Sequence, residues 1–138
     1  EAGQMLRRAG IENSTYVMLG IGGQGRTREH ALNTAQAVSA IQPDFVRLRT
    51  FVPKVNTPLL KKIEQGRFSV LGPHEVLREA RLFLENTQSA TRLSSDHYSN
   101  YVNLEGRLPE DREALLRRID ACLELDASRF RPFFVGRE

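Results

Sequence analysis

One cysteine, Cys122, stands in a chain of 138 residues, so no internal disulfide can form. No apolar run is long enough to span a membrane, and no stretch has the layout of a secretory leader. These absences together lead us to expect a reducing, cytoplasmic setting and no membrane partner. Internal repeats and low-complexity segments are missing as well. So is a basic stripe: the net charge is +3 and the pI about 9.4, with 17 of the 20 basic residues being Arg. Those charges run from Arg7 to Arg137 and alternate with acids, the pattern of a solvated surface, so nucleic acid is not expected as a partner. The length also falls short of a complete (β/α)8 barrel, which takes roughly 200 residues or more. The first residue is Glu1 rather than Met, in a stretch with helical composition, so a piece of a longer protein is expected.

What is present centres on Tyr16 to Gly25, YVMLGIGGQG. Tyr16 to Leu19 are consecutive apolar residues, which suits a strand of a parallel sheet. Gly20, Gly22, Gly23 and Gly25 then remove the β-carbons where the strand ends, the place at which α/β proteins hold small molecules. Upstream, Glu1 to Ala9 reads as a helix closed by Gly10. Downstream, Thr27 is expected to cap a helix whose small apolar face is Ala31, Thr34, Ala35, Val38 and Ile41. Pro43 ends it, and Phe45 to Thr50 alternates as a strand. Phe45, Arg47 and Arg49 share one face; Val46, Leu48 and Thr50 share the other. A right-handed crossover and parallel pairing make this a βαβ unit.

Pro53 and Pro58 bracket a loop before a short helix over Leu59 to Glu64. Pro73 then opens an amphipathic helix that buries Val76, Ala80, Phe83 and Leu84 and directs Glu75, Arg78, Glu79 and Arg81 largely elsewhere. Arg92 to Ser95 is a candidate strand leading into the polar run Asp96 to Tyr101. Gly106 and Pro109 mark a break before a last helix carrying Leu115, Leu116, Ile119, Cys122 and Leu123. Phe130, Phe133, Phe134 and Val135 form an apolar tail that must dock on something.

Three sets of residues could carry chemistry. Gly20, Gly22 and Gly25 match G-x-G-x-x-G after a strand, but Thr27 caps the helix only after the glycines. Asp44 stands at the start of the second strand, whose end carries Arg49 where the dinucleotide fingerprint wants an acid. A dinucleotide site, another small-molecule edge and a structural turn all stay open. Ser94, Ser95, Asp96 and His97 hold the residue types of a hydrolase triad, yet strand neighbours point to opposite faces, leaving a pinning network or a pocket lining. Arg47 and Arg49 need carboxylates, phosphate or a cofactor if buried, and nothing if they lie on an exposed face. Cys122 reads as a small core residue.

Taken in order, YVMLGIGG, HALNTAQAVSAIQPDFVRLRTF, TPLL, EVLREARLFLE and SSDHYSNYVNLEGRLPEDREALLRRID resemble the C-terminal part of a radical S-adenosylmethionine protein of the oxygen-independent coproporphyrinogen oxidase-like branch. The resemblance covers nearly the whole chain. It implies an α/β fold with parallel strands: the C-terminal portion of a partial, TIM-like (β/α)6 barrel over residues 1–68, then a helical extension over 69–138. Tyr16 to Leu19 would be the fifth barrel strand and Phe45 to Thr50 the sixth. Family members cleave S-adenosylmethionine with a 4Fe-4S cluster held by a C-x-x-x-C-x-x-C loop. That loop is absent here, so the parent protein would carry both cofactors and this fragment neither, and no catalytic residue or metal ligand is assigned to it.

The resemblance also places Met18, Gly20, Gly22, Gly23 and Arg49 toward S-adenosylmethionine. In the family motif G-x-I-x-G-x-x-E, Met18 takes the place of the isoleucine, whereas Gly23 stands where the acid belongs. Arg47, Asp96, His97 and Asn100 would line the pocket of a small-molecule substrate. The expected partner is the N-terminal half of the same polypeptide, and the fragment alone, with an unpaired parallel edge near Tyr16, is expected to form a homo-oligomer. Two other readings stand beside this one: an independent α/β nucleotide-binding domain using Gly20 to Gly25, and a noncatalytic interaction domain that docks through Phe130 to Val135.

Overall fold

The computed structural model describes residues 1–137 as an α/β fold with a four-stranded, mostly parallel open sheet. The elements in chain order are α1 (Ala2–Arg8), β1 (Ser14–Leu19), α2 (Gly23–Ile41), β2 (Phe45–Thr50), α3 (Pro58–Glu64), α4 (Pro73–Asn86), β3 (Thr91–Ser94), β4 (Glu105–Leu108) and α5 (Arg112–Leu123), followed by one 3-10 turn at Ala127–Arg129. The sheet order is β1-β2-β3-β4. β1 to β3 are parallel, with Ser14 opposite Phe45 and Phe45 opposite Arg92, and β4 returns antiparallel, with Leu93 opposite Gly106. Among the described residues no helix is long and apolar enough to cross a membrane.

Strand alternation decides where the core lies. Val17 and Leu19 of β1, Val46, Leu48 and Thr50 of β2, and Thr91 and Leu93 of β3 are all buried. They meet Ala31, Ala35 and Val38 of α2, then Val76, Leu77, Ala80, Phe83 and Leu84 of α4, and Leu115 and Ile119 of α5. The small face of α2 lets it lie close to both β1 and α4. The other face of the sheet carries Tyr16, Met18, Arg47 and Arg92, all exposed. No helix covers it.

Four readings of the sequence need correction. α2 begins at Gly23, not after Thr27: the Gly23 amide donates to the Gly20 carbonyl at 3.1 Å and the Gln24 amide to the Ser69 carbonyl at 3.0 Å. Packing against the chain segment at Phe68 and Ser69 supplies what glycine's weak helix propensity does not. Gly106 is not a break but the second residue of β4, where it admits the Asp111 side chain within 3.0 Å of the place a Cβ would occupy. The division at residue 68 is not followed either. Residues 69–138 are no separate helical extension, because β3 pairs directly with β2, and α4 packs on α2 and β1. Finally, Glu79 is buried at 2% exposure. The C-terminal tail does dock: Phe130 packs edge-on against Tyr101 and His74, while Phe133 stays 58% exposed.

Phe83 is fully buried in the layer between sheet and helices. Phe83→Ala should therefore cost about 3–5 kcal/mol of unfolding free energy, seen as a lowered midpoint in urea denaturation.

Candidate functional site

Ligands of open α/β sheets sit beyond the carboxyl ends of the parallel strands. Here those ends are the Gly20 turn after β1, Thr50 and Phe51 after β2, and the Ser95 to Tyr101 loop after β3. The open sheet face leads up to them. Met18 stands opposite Arg49 and Tyr16 opposite Arg47 in the β1–β2 ladder, and the Arg49 guanidinium lies 5.0 Å from the centre of the Tyr16 ring, in cation–π range. Arg47 shares a cleft of about 310 Å³ with Arg92, Ser94, Asp96 and Glu105. Arg92 pairs with Glu105 at 3.1 Å. Neither Arg47 nor Arg49 has a carboxylate within ion-pair distance among the described residues. Exposure makes that inexpensive: Arg47 is open to solvent and Arg49 is half-buried.

The loop after β3 turns two of its polar side chains inward. Asn100 donates to the Leu48 carbonyl at 2.9 Å and the Ser95 carbonyl at 3.0 Å, and its Oδ1 accepts from the Thr50 hydroxyl at 3.0 Å. Ser99 Oγ accepts from the Thr50 amide at 3.3 Å. Asn100 thus satisfies backbone groups left over where β2 ends. Asp96 stays exposed, and His97 is half-buried with its ring against Tyr98. His97 Nδ1 accepts from the Ser99 amide at 3.2 Å, which puts the proton of the neutral ring on Nε2. Burial, followed by the positive charge of Arg49, holds its pKa below the ordinary value, with Asp96 opposing. The structure therefore brings Tyr16, Met18, Arg47, Arg49, Asp96 and His97 to one face and one edge. Apart from Asp96 the polar members are hydrogen-bond donors, an arrangement suited to an anionic or carbonyl ligand.

The glycine turn belongs to a different environment. Gly23 is buried at φ +64, and a Cβ there would meet the Phe68 ring at 3.0 Å and the Ser69 carbonyl at 3.1 Å. Close approach at Gly23 is thus made by the chain itself, and the Gly23 and Gln24 amides are already bonded. Gly22 faces Arg26 and His30 within its own helix, while Gly25 meets nothing within 4 Å.

Behind the turn lies the residue that sequence reasoning missed. Glu79 of α4, its side chain wholly inaccessible, accepts at Oε1 from the Gly20 amide at 2.8 Å and pairs with His30 Nδ1 at 2.8 Å, and its Oε2 takes the Thr27 hydroxyl. The signal was available: position 79 lies three residues after Val76 and four before Phe83, on the buried stripe of the helix. Thr27, expected as a cap, is instead a ligand of this carboxylate. Cys122 packs at the edge of the core, half-buried.

Two predictions follow from these contacts. Gly23→Ala should destabilise by about 1–3 kcal/mol because φ is positive and the space is filled, whereas Gly25→Ala, in an open helical position, should stabilise by up to about 1 kcal/mol; urea titration of both variants gives the contrast. For His97, the folded-state pKa lies below that of the unfolded chain, so the unfolded state binds more protons as pH falls past about 6.5. Its contribution is complete above that pH and is lost below it. Compared with His97→Asn, which keeps an acceptor for the Ser99 amide, the natural protein should lose stability between about pH 7.5 and 5, read as a shift in their relative urea midpoints.

Comparison with protein-family models, with curated proteins and with solved structures found no match to this chain.

Proposed function

We propose that the chain is the C-terminal half of a radical S-adenosylmethionine enzyme, with the open sheet face as part of the inner wall of a partial barrel. The observation that carries this reading is the sequential order β1-β2-β3 with the three core helices α2, α4 and α5 packed on one side. Successive right-handed crossovers that always step the same way produce a barrel wall, while a doubly wound nucleotide-binding sheet reverses its order and covers both faces. A third parallel strand, β3, extends the wall beyond the two strands that the resemblance assigns to it. The same observation disfavours an independent nucleotide-binding domain, as does the filling of the Gly23 turn by Phe68.

In this reading Tyr16 and Met18 offer an exposed apolar platform to the adenine, with Arg49 beside it. Arg47, Asp96 and His97 face a small-molecule substrate carrying negative charge or carbonyl oxygens. S-adenosylmethionine with its cluster supplies the radical that abstracts hydrogen from that substrate. This chain does not fit the cluster: three thiolates are needed, and its one cysteine, Cys122, packs against the core on α5. The cluster ligands are therefore assigned to the N-terminal half of the same polypeptide, the principal partner of this chain.

The test is to read the coding sequence ahead of Glu1 for an in-frame C-x-x-x-C-x-x-C within about 200 residues, then to reconstitute the full-length protein without oxygen and assay 5′-deoxyadenosine. The expected result is the motif and the product, with Met18→Asp weakening S-adenosylmethionine binding about tenfold. Absence of the motif, or a reconstituted protein that yields no 5′-deoxyadenosine, overturns the reading.

A further inference from the structure

The two edges of the sheet are chemically unlike. β4 presents Glu105, Gly106 and Arg107 and runs into Pro109. Charges, glycine and proline are the usual means of keeping a strand edge from pairing. β1 reads Ser-Thr-Tyr-Val-Met-Leu, with no charge, proline or glycine among its residues. Its free backbone groups can be identified from the ladder. The Asn13 carbonyl accepts from the Phe45 amide at 3.1 Å and the Leu19 carbonyl from the Phe51 amide at 2.8 Å, so the odd-numbered residues turn toward β2. Alternation then points the N–H and C=O groups of Ser14, Tyr16 and Met18 outward from the edge.

Much of the exposed apolar surface among the described residues falls within the first eighteen positions. Met5, Leu6, Ile11, Tyr16 and Met18 are five of the nine large hydrophobic side chains exposed among the described residues. The first two belong to α1, which is held beside α2 by Gln4 on the Ala40 carbonyl, Arg7 on the Gln42 carbonyl and the close approach of Gly3 to Ile41. Tyr16 and Met18 thus add exposed apolar side chains to the unpaired β1 edge.

We propose that this surface binds a second copy of the chain, with the two β1 strands paired antiparallel about a twofold axis at Tyr16. The outward-facing set is self-complementary in that register: Tyr16 opposes its equivalent, and Ser14 of each copy opposes Met18 of the other. All three are hydrogen-bonded pairs of the antiparallel pattern. An isologous contact of this kind closes on itself, which the uncharged edge permits and the guarded β4 edge does not. A six-residue strand pair with flanking apolar side chains is a small interface, so the dimer belongs to the micromolar class. The inference does not rest on the barrel reading. There, a strand from the N-terminal half would claim the same backbone groups and displace the second copy.

Sedimentation velocity of the chain over about 1 to 100 µM covers this affinity range. The expected result is a reversible dimer that Tyr16→Pro converts to monomer with an unchanged far-ultraviolet circular dichroism spectrum, since proline removes an outward backbone donor of an edge residue and the ring lost with it is exposed and stacked on Arg49 alone. If Tyr16→Pro does not fold, the double variant Ser14→Lys and Met18→Lys sets like charges opposite each other across the pair and should weaken dimerisation about tenfold or more. A chain that stays monomeric over the whole range overturns the proposal, as does a dimer that survives either folded variant. Neither failure touches the 5′-deoxyadenosine assay, which reports on the barrel reading alone.

Discussion

A buried carboxylate in the middle of α4 ties the end of β1 to the start of α2. Glu79 lies inside the helical layer, yet it gathers the Gly20 amide from the end of β1 and the Thr27 hydroxyl and His30 ring from the first turns of α2. An isolated charge at that depth would be severely unfavourable, and removing a partner from such a group typically costs about 3–5 kcal/mol. With three donors converging on two oxygens the group is satisfied. The consequence is geometric: α4 can take only the rotation and height at which Glu79 meets the turn, and that position brings Val76, Ala80 and Phe83 onto the sheet. One polar contact thereby selects among the many ways an amphipathic helix could lie on an apolar surface.

The chain's one-sided architecture accounts for its two arginines. Buried on both faces, β2 would have had to neutralise Arg47 and Arg49, and no acid stands close enough to do so among the described residues. Because α2, α4 and α5 pack on the face of Val46, Leu48 and Thr50, the opposite face remains in water and the guanidinium groups keep their hydration. A surface charge then costs little to hold and stays available to a ligand. The stacking of Arg49 on Tyr16 fixes the direction of one of them without consuming its hydrogen-bond donors.

Much of this was legible in the sequence wherever periodicity and punctuation agreed. The β2 strand and its two faces, α4 from Pro73, the β3 strand within a residue, and the docking of Phe130 all follow from local pattern. What was not legible depended on distant packing. The early start of α2 at Gly23 requires the Ser69 carbonyl and the Phe68 ring, some forty-five residues away in sequence. β4 is a short strand of Glu, Gly, Arg and Leu, whose composition argues for a turn and whose pairing with β3 decides otherwise. Glu79 lay on the buried stripe by spacing, but its charge spoke for solvent; only the three donors brought to it by tertiary structure settle the conflict.

The polar loop after β3 shows why its residues divide as they do. Where β2 ends, the Leu48 carbonyl and the Thr50 amide lose their ladder partners while still within the core, and leaving such groups unpaired costs about 1–3 kcal/mol each. Ser99 and Asn100 turn inward to answer them. Arg131 of the tail closes the next gap by donating to the Ser99 carbonyl at 2.9 Å, its guanidinium held between the Tyr101 and Phe134 rings. With the inner residues committed to backbone, the outer ones are released: Asp96 needs no structural partner, and His97 is bound by one nitrogen only. A loop whose side chains all faced inward would be more rigid and chemically mute, and one whose side chains all faced outward would leave the strand end unsatisfied. The division of the loop into outer residues at Asp96 to Tyr98 and inner ones at Ser99 and Asn100 resolves both demands.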